Sequence, residues 1–221
     1  MLFPYHDDTP RKRFPLVTFS LIGINVAVYV LQITMQEAEL AAFYSAYGAV
    51  PLRFAEYRFS EGLVSPLTHM FIHGSLVHLL GNLWFLWLFG DNVEDSYGPF
   101  RFLGFYIVGG LAGMALHVLV FPSSPVPLVG ASAAISAVMG AYWVFYPRAR
   151  IGMVAFVFIF IKRFHIPTFV YMMFWFGFQM LYAFIDAVNG GQADVAFSAH
   201  IGGFAFGLLA GLLWKMRRVP A

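Results

Sequence analysis

The segment that decides the fold runs from Gly130 to Gly140 and reads GASAAISAVMG. Its composition is that of an apolar helix, but its first turn carries Ser132 between residues with very small side chains. Residues 121–129, which precede it, read FPSSPVPLV, and prolines at this density exclude a regular helix. Ser132 is therefore expected where a loop becomes a helix, in a chain that is otherwise strongly apolar.

The composition of the whole chain indicates an integral membrane protein. Of its 221 residues, 60% are hydrophobic and only 11% are charged, whereas a soluble domain carries about 25% charged residues. Long apolar runs of this kind favour membrane-spanning helices. The chain has no cysteine, which excludes a disulfide, a thiol nucleophile and a zinc–thiolate site.

The apolar runs predict an all-α fold, a bundle of six transmembrane helices. A short N-terminal arm, residues 1–15, precedes a helical core over residues 16–214, and a basic tail follows at 215–221. The six predicted helices are Leu16–Met35, Leu76–Phe89, Phe100–Phe121, Ser132–Tyr146, Ile166–Val188 and Ala196–Trp214. The fourth helix, at about 22 Å, is too short to cross the bilayer, so one of its ends should lie below the membrane surface.

Two further segments are unsuited to span the membrane. Residues 36–74 mix charged side chains with aromatic and aliphatic ones, which is typical of a structured loop at the membrane interface. Residues 151–161 form an apolar run that is too short to span, and we interpret it as an interfacial or re-entrant segment. Between the second and third helices, Gly90-Asp91-Asn92 is expected to end the second helix.

The distribution of basic residues predicts the orientation. Six spans place both termini on one side, where eleven of the thirteen Lys and Arg residues then lie, and only Arg53 and Arg58 lie opposite. The positive-inside rule makes that side cytoplasmic. Ser132 is then expected at the outer end of its short helix. The compact core indicates a multi-pass protein of a bacterial-type plasma membrane.

Four polar residues fall near the outer ends of the predicted helices: His78, Asn82, Ser132 and His200. Polar and ionisable groups inside a span are costly and mark functional sites. A serine within reach of an imidazole is the minimum for an activated nucleophile. His78 and Asn82, four residues apart on one helix face, and the unpaired Ser132 N–H would then offer hydrogen bonds to a developing oxyanion.

Small residues repeat along two of the helices and predict how these helices pack. The two stripes are Ser132, Ser136 and Gly140 on the fourth helix, and His200, Gly203, Gly207 and Gly211 on the sixth. Such stripes allow helix backbones to approach closely in lipid. If the fourth and sixth helices pack along them, Ser132 and His200 meet at the outer end.

Each of these features also has a simpler explanation. A serine at a helix start is usually only a cap, a buried histidine usually only packs or forms a hydrogen bond, and small-residue stripes usually only pack. The placement of four polar residues at one depth favours catalysis over these explanations.

Other polar residues have their own alternatives. His69 and His73 have the spacing of zinc ligands but lack an HExxH pattern, and hydrogen bonds that order the loop explain them better. We assign His117 to packing. Asp186 and Asp194 lie near the outer side and are weak candidates for an acid that orients His200.

Three segments of the chain resemble the rhomboid intramembrane serine proteases. They are HMFIHGSLVHLLGN at residues 69–82, GAS at 130–132, and AHIGG at 199–203 followed by Gly207. The first is similar to the family's histidine-rich approach to the second helix, with its HxxxN. The second is similar to its GxS nucleophile motif, and the third to its AHxxG on the last helix. The resemblance covers the core from about Leu16 to Trp214.

The resemblance implies a six-helix core with a first loop half-embedded in the membrane. It implies a dyad of Ser132 and His200 without a required acid, with His78 and Asn82 stabilising the oxyanion. The implied partners are the lipid bilayer and single-span membrane proteins, cut near the outer surface at small residues. Neither a cofactor, a metal nor a nucleic acid is expected.

Two positions depart from the family pattern. Ala133 stands where glycine is frequent, and Ser136 where some members place a tyrosine against the catalytic histidine. Another residue must therefore hold the His200 ring.

Two other classes of protein compete with a protease. One alternative is a non-catalytic rhomboid-like module that binds transmembrane helices, although the chain retains Ser132 and His200. The other is a transporter or channel, which the lack of an internal repeat and of midplane charges disfavours.

Overall fold

The computed structural model describes residues 2–56, 63–157, 160–190 and 195–218, which are mostly helical. The helices are α1 Leu16–Gln32, α2 Glu37–Tyr47, α3 Pro51–Ala55, α4 Ser65–Thr68, α5 Leu76–Tyr97, α6 Pro99–Val120, α7 Ser132–Phe145, α8 Thr168–Val188 and α9 Phe197–Arg218. A 3-10 turn, His69–Phe71, follows α4. The strands are β1 Leu2–Asp7, β2 Arg150–Val157 and β3 Phe160–Pro167.

The antiparallel sheet corrects the all-α prediction. Its order is β1-β2-β3, with Asp7 opposite Ile151 and Arg150 opposite Pro167. The apolar run at 151–161 therefore contributes to β2 and the start of β3. The N-terminal arm supplies β1. Valine, isoleucine and phenylalanine dominate this run, and these residues favour a pleated strand when the segment is too short for a spanning helix.

The sheet is attached to the helical core through β1. The indole N–H of Trp84 on α5 donates to the Pro4 carbonyl over 2.8 Å, and the Phe3 and Trp84 ring centroids are 4.8 Å apart. At the other end of β1, the Asp7 carboxylate accepts from the Tyr142 hydroxyl at 2.6 Å and the Asn92 amide at 3.0 Å. These contacts make the predicted arm part of the packed structure.

Helix α5 continues through Gly90-Asp91-Asn92, where we expected it to end. It runs to Tyr97, and Gly98 ends it with a φ of 81°. Gly90 lies inside the helix because α1 passes it closely: an added Cβ would lie 3.0 Å from the Thr18 side chain. The glycine thus serves helix packing, which outweighs its cost of about 1 kcal/mol in helix propensity.

The last turns of α5 also cap α1. The Glu94 carboxylate accepts from the Val17 and Thr18 backbone N–H groups at 3.0 and 2.8 Å and from the Thr18 hydroxyl at 2.8 Å. Val17 and Thr18 belong to the first turn of α1, whose N–H groups have no partner within the helix. The buried Glu94 carboxylate therefore accepts the backbone hydrogen bonds that the side chain of an N-cap residue accepts in other helices.

The predicted packing of the fourth helix on the sixth is confirmed by α7 and α9. A Cβ added at Gly203 would overlap the Ala133 carbonyl, and one at Gly207 would overlap the Ala137 carbonyl. On the α7 side these contacts run along Ala133 and Ala137, one position away from Ser132 and Ser136. Of the predicted α7 stripe, Gly140 meets α9 in this way: a Cβ added there would overlap the Phe204 carbonyl.

Several helices have the length and composition of membrane spans. Within the described residues these are α6, α8 and α9, and α5 joins them if it counts as one bent span with residues 65–71, at an angle of 93°. Helices α1 and α7 are apolar but shorter. The short fourth helix is confirmed, since α7 has 14 residues. The chain is therefore an integral membrane protein.

Candidate active site

A single cavity of about 740 Å³ collects all four of the predicted site residues. His78 and Asn82 reach its wall from the first two turns of α5, Ser132 from the start of α7, and His200 from the start of α9. Three separate helix starts thus contribute polar side chains to one cavity.

Ser132 is the first residue of α7, and Ala131 rather than Ser132 occupies the N-cap position. Its carbonyl accepts the Ser136 hydroxyl over 2.7 Å. Within the described part of the chain, neither the Ser132 hydroxyl nor its backbone N–H has a hydrogen-bond partner. Both groups are therefore free to form hydrogen bonds at the cavity that Ser132 lines.

The loop before Ser132 is held by hydrogen bonds to the segment that connects α1 to α5. Leu128 and Ala49 exchange two backbone hydrogen bonds, at 2.8 and 3.0 Å. The Gly130 N–H donates to the His69 carbonyl over 2.8 Å. The proline-rich segment is therefore irregular but held in place by these hydrogen bonds. The segment between α1 and α5 thereby positions Ser132.

Gly130 brings this loop against the polar residues of α5. It has a φ of 120°, and a Cβ added there would lie 2.7 Å from His78 Nε2 and 3.6 Å from Asn82 Nδ2. The two side chains thus lie beside the backbone two residues before Ser132.

His69 and His73 order the loop by hydrogen bonds, as interpreted. His73 Nε2 is 2.9 Å from Asn82 Nδ2, and His69 Nδ1 is 3.0 Å from the Ser65 carbonyl. The Gln32 side chain bonds both the N–H and the carbonyl of His73, at 3.1 and 2.9 Å. Among the described residues no group of three or more His, Cys, Asp or Glu side chains is arranged to hold a metal ion.

His200 is held by a residue that sequence reasoning did not identify. Its Nδ1 lies 2.8 Å from Gln179 Oε1 on α8. The Trp175 ring is stacked beside the His200 ring at an interplanar angle of 29°, with the centroids 6.3 Å apart. The Phe197 ring meets the His200 ring edge-on, also at 6.3 Å between centroids. The available signal was a lone glutamine within the apolar run of residues 168–185, one helical turn after Trp175.

The remaining polar candidates are His117, Asp186 and Asp194, and their contacts differ in part from the predictions. His117 is not merely packed, because its Nδ1 lies 2.7 Å from the Ser198 hydroxyl of α9. Asp186 lines the cavity, but the partner of His200 Nδ1 is Gln179. Asp194 lies outside the described residues.

Fold and site together define an integral membrane protein in which apolar helices surround a cavity lined by serine, histidine and asparagine. The sequence model of the rhomboid domain matches residues 60–217. The chain belongs to the rhomboid family.

Several curated relatives match parts of the chain. Rhomboid protein 1, mitochondrial, of Saccharomyces cerevisiae is 28% identical over an alignment that covers 95% of this chain and 55% of the yeast protein. RHOMBOID-like protein 12, mitochondrial, of Arabidopsis thaliana is 26% identical, over 65% of this chain and 44% of its own length. Rhomboid protease GluP of Bacillus subtilis is 40% identical, over 34% of this chain and 14% of its own length.

The chain thus spans between about a seventh and just over half of the length of these relatives. Two of them are named as mitochondrial and one comes from a bacterium, so the comparisons do not support the assignment to a bacterial-type plasma membrane.

Proposed function

We propose that the chain is an intramembrane serine endopeptidase with Ser132 as the nucleophile and His200 as the general base. The observation that carries the proposal is the placement of both side chains on the wall of one cavity between apolar helices, with His200 anchored through Nδ1. Membership of the rhomboid family supports the same reaction class.

In the proposed reaction, Ser132 Oγ attacks the scissile carbonyl while His200 Nε2 takes the hydroxyl proton. The imidazolium then gives that proton to the departing amine, which leaves an acyl ester on Ser132. Water hydrolyses the ester, with His200 again acting as base.

The oxyanion would be stabilised by the Ser132 N–H and by the His78 and Asn82 side chains beside Gly130. Removal of one such donor typically lowers the rate by about 100- to 1,000-fold. Asn82 already points one amide N–H toward His73, which orients the side chain and leaves its second N–H for substrate.

The proposed substrates are single-span membrane proteins, cleaved near the outer membrane surface. The proposal includes six spans, with α1 and α7 counted among them, and cytoplasmic termini. This orientation follows from the basic residues, which fall almost entirely on one side of such a bundle.

The test is a cleavage assay with purified protein in detergent and a panel of labelled transmembrane segments, together with labelling of the protein by a fluorophosphonate. Wild type should cleave and become labelled, while Ser132→Ala should do neither and His200→Ala should lose at least 100-fold in both rates. Persistent cleavage by Ser132→Ala would refute the assignment. Binding of segments without cleavage by wild type would instead support the non-catalytic module.

A further inference from the structure

We propose that Gln179 is a positioning residue that sets which nitrogen of His200 carries the proton; this inference rests on the proposed Ser132–His200 dyad. The Gln179 side-chain oxygen lies 2.8 Å from His200 Nδ1. An amide oxygen only accepts, so Nδ1 must donate its proton to it. A neutral imidazole carries a single ring proton, so Nε2 then holds the lone pair that a general base needs.

The location of Gln179 on α8 suits this role. Trp175, Gln179 and Asp186 are spaced by four and seven residues, which places them on one helix face, and all three line the cavity. The neighbouring Phe178 and Met180 are about half exposed, on the outside of the structure. An amide in an apolar span needs a partner because its desolvation is costly, and His200 supplies one.

A neutral partner has a different effect from the aspartate of a serine protease triad. A carboxylate would orient the imidazole and also stabilise the imidazolium that forms when Ser132 loses its proton. An amide orients the ring without adding a buried charge, which is expensive in a low-dielectric site. The Gln179 amide therefore selects the tautomer without adding a charge, and a carboxylate at position 179 should raise the basicity of His200.

The kinetic test compares Gln179→Leu, which removes the acceptor, with Gln179→Glu, which keeps it and adds charge. Met180→Ala is the matched control, because it alters the next residue of α8 on the exposed side. We expect Gln179→Leu to lower kcat and the rate of fluorophosphonate labelling about tenfold, with KM unchanged, the effect of losing one hydrogen bond of ordinary strength. Gln179→Glu should stay active and shift the acidic limb of its pH–rate profile to higher pH.

A structural role alone would change the thermal unfolding temperature and would not move the pH profile. Wild-type rates in Gln179→Leu, or a Gln179→Glu profile that superimposes on that of wild type, would overturn the proposal. The control should match wild type in rate, unfolding temperature and pH profile.

A second measurement reads the tautomer without reference to activity. Nitrogen-15 NMR of labelled histidine, with the His200→Ala protein identifying the His200 signals, should show a protonated Nδ1 in wild type and a mixture of tautomers in Gln179→Leu. A protonated Nε2 in wild type would mean that the amide is turned the other way, and the proposal would be wrong. If folded wild type neither cleaves nor becomes labelled, the proposed function fails, while a Gln179-dependent Nδ1–H signal would still support this inference.

Discussion

Gly130 shows how a single residue connects the loop before Ser132 to the residues proposed to bind the oxyanion. Its φ of 120° is a conformation that side-chain-bearing residues rarely adopt, and the space for a Cβ is occupied by the His78 ring. Both constraints act two residues before the proposed nucleophile. The absence of a side chain at this position therefore allows the backbone to approach His78 and Asn82 closely.

Replacement of this glycine should slow catalysis. In Gly130→Ala the new methyl group would meet His78 Nε2 at 2.7 Å, so the loop or the ring must shift. A shift of this kind in an oxyanion site costs on the order of 100-fold in rate. The check is kcat/KM on a transmembrane substrate. Gly104→Ala is the control, because its Cβ would have no neighbour within 4 Å, and equal rates in both variants would contradict the explanation.

At the scale of the elements, the contact between α7 and α9 brings Ser132 and His200 to one cavity. The contact depends on α9 glycines that lie directly against the backbone of α7. In lipid, helix association depends on close packing rather than on a hydrophobic driving force. The glycines therefore determine the distance between the two helices that carry the proposed dyad.

Gly207→Ala should separate these two helices. The added methyl would overlap the Ala137 carbonyl, and overpacking of this kind costs about 1–3 kcal/mol. Both thermal stability in detergent and activity should fall. Gly177→Ala provides the opposite case, since Gly177 lies in α8 with nothing within 4 Å of its Cβ position. It should be neutral or stabilise by up to about 1 kcal/mol, and a loss equal to that of Gly207→Ala would contradict the packing argument.

A second prediction at this scale concerns the junction of α1 and α5. Glu94→Ala removes the acceptor of three hydrogen bonds from Val17 and Thr18, two of them from backbone groups with no other partner in the helix. Stability should fall by about 2 kcal/mol or more, because buried donors are left unpaired. Thermal unfolding in detergent would measure the loss. Glu94→Gln keeps one acceptor oxygen and should lose less than the alanine variant; the reverse order would refute the capping role.

At the scale of the whole molecule, the N-terminal strand ties the sheet to the helical core through Asp7. This residue is only 8% exposed, and its burial raises the pKa of the carboxyl above its usual value of 3.8, although the Tyr142 hydrogen bond opposes the shift. The folded protein therefore holds the Asp7 proton more tightly than the unfolded chain does. The stabilisation from this group is complete below pH 3.8 and is lost as pH rises through the raised pKa.

Asp7→Asn, which imitates the protonated form, should expose this dependence. The unfolding temperature of wild type minus that of Asp7→Asn should fall as pH rises from about 3.5 toward 7, because only wild type must bury a carboxylate. Thermal scans across this range give the difference. The exposed Glu37 provides the control variant Glu37→Gln, whose difference from wild type should be much less dependent on pH. If the unfolding temperature of wild type minus that of Asp7→Asn stayed constant or grew as pH rises, the predicted direction of the pH dependence would be wrong.

The sequence by itself determined the membrane class, the near-correct bounds of α6 and α7, and the four polar residues that meet at one cavity. These features are local: apolar runs, helical spacing and helix starts depend on residues close together in the chain. Only the tertiary structure showed that residues 2–7 pair with residues 151–155, that α5 passes beyond Gly90, and that Gln179 holds His200. Each of these joins distant segments, and its stability comes from packing that no local pattern encodes: β1 needs a partner strand, Gly90 needs α1 beside it, and the Gln179 amide needs an imidazole within hydrogen-bond reach.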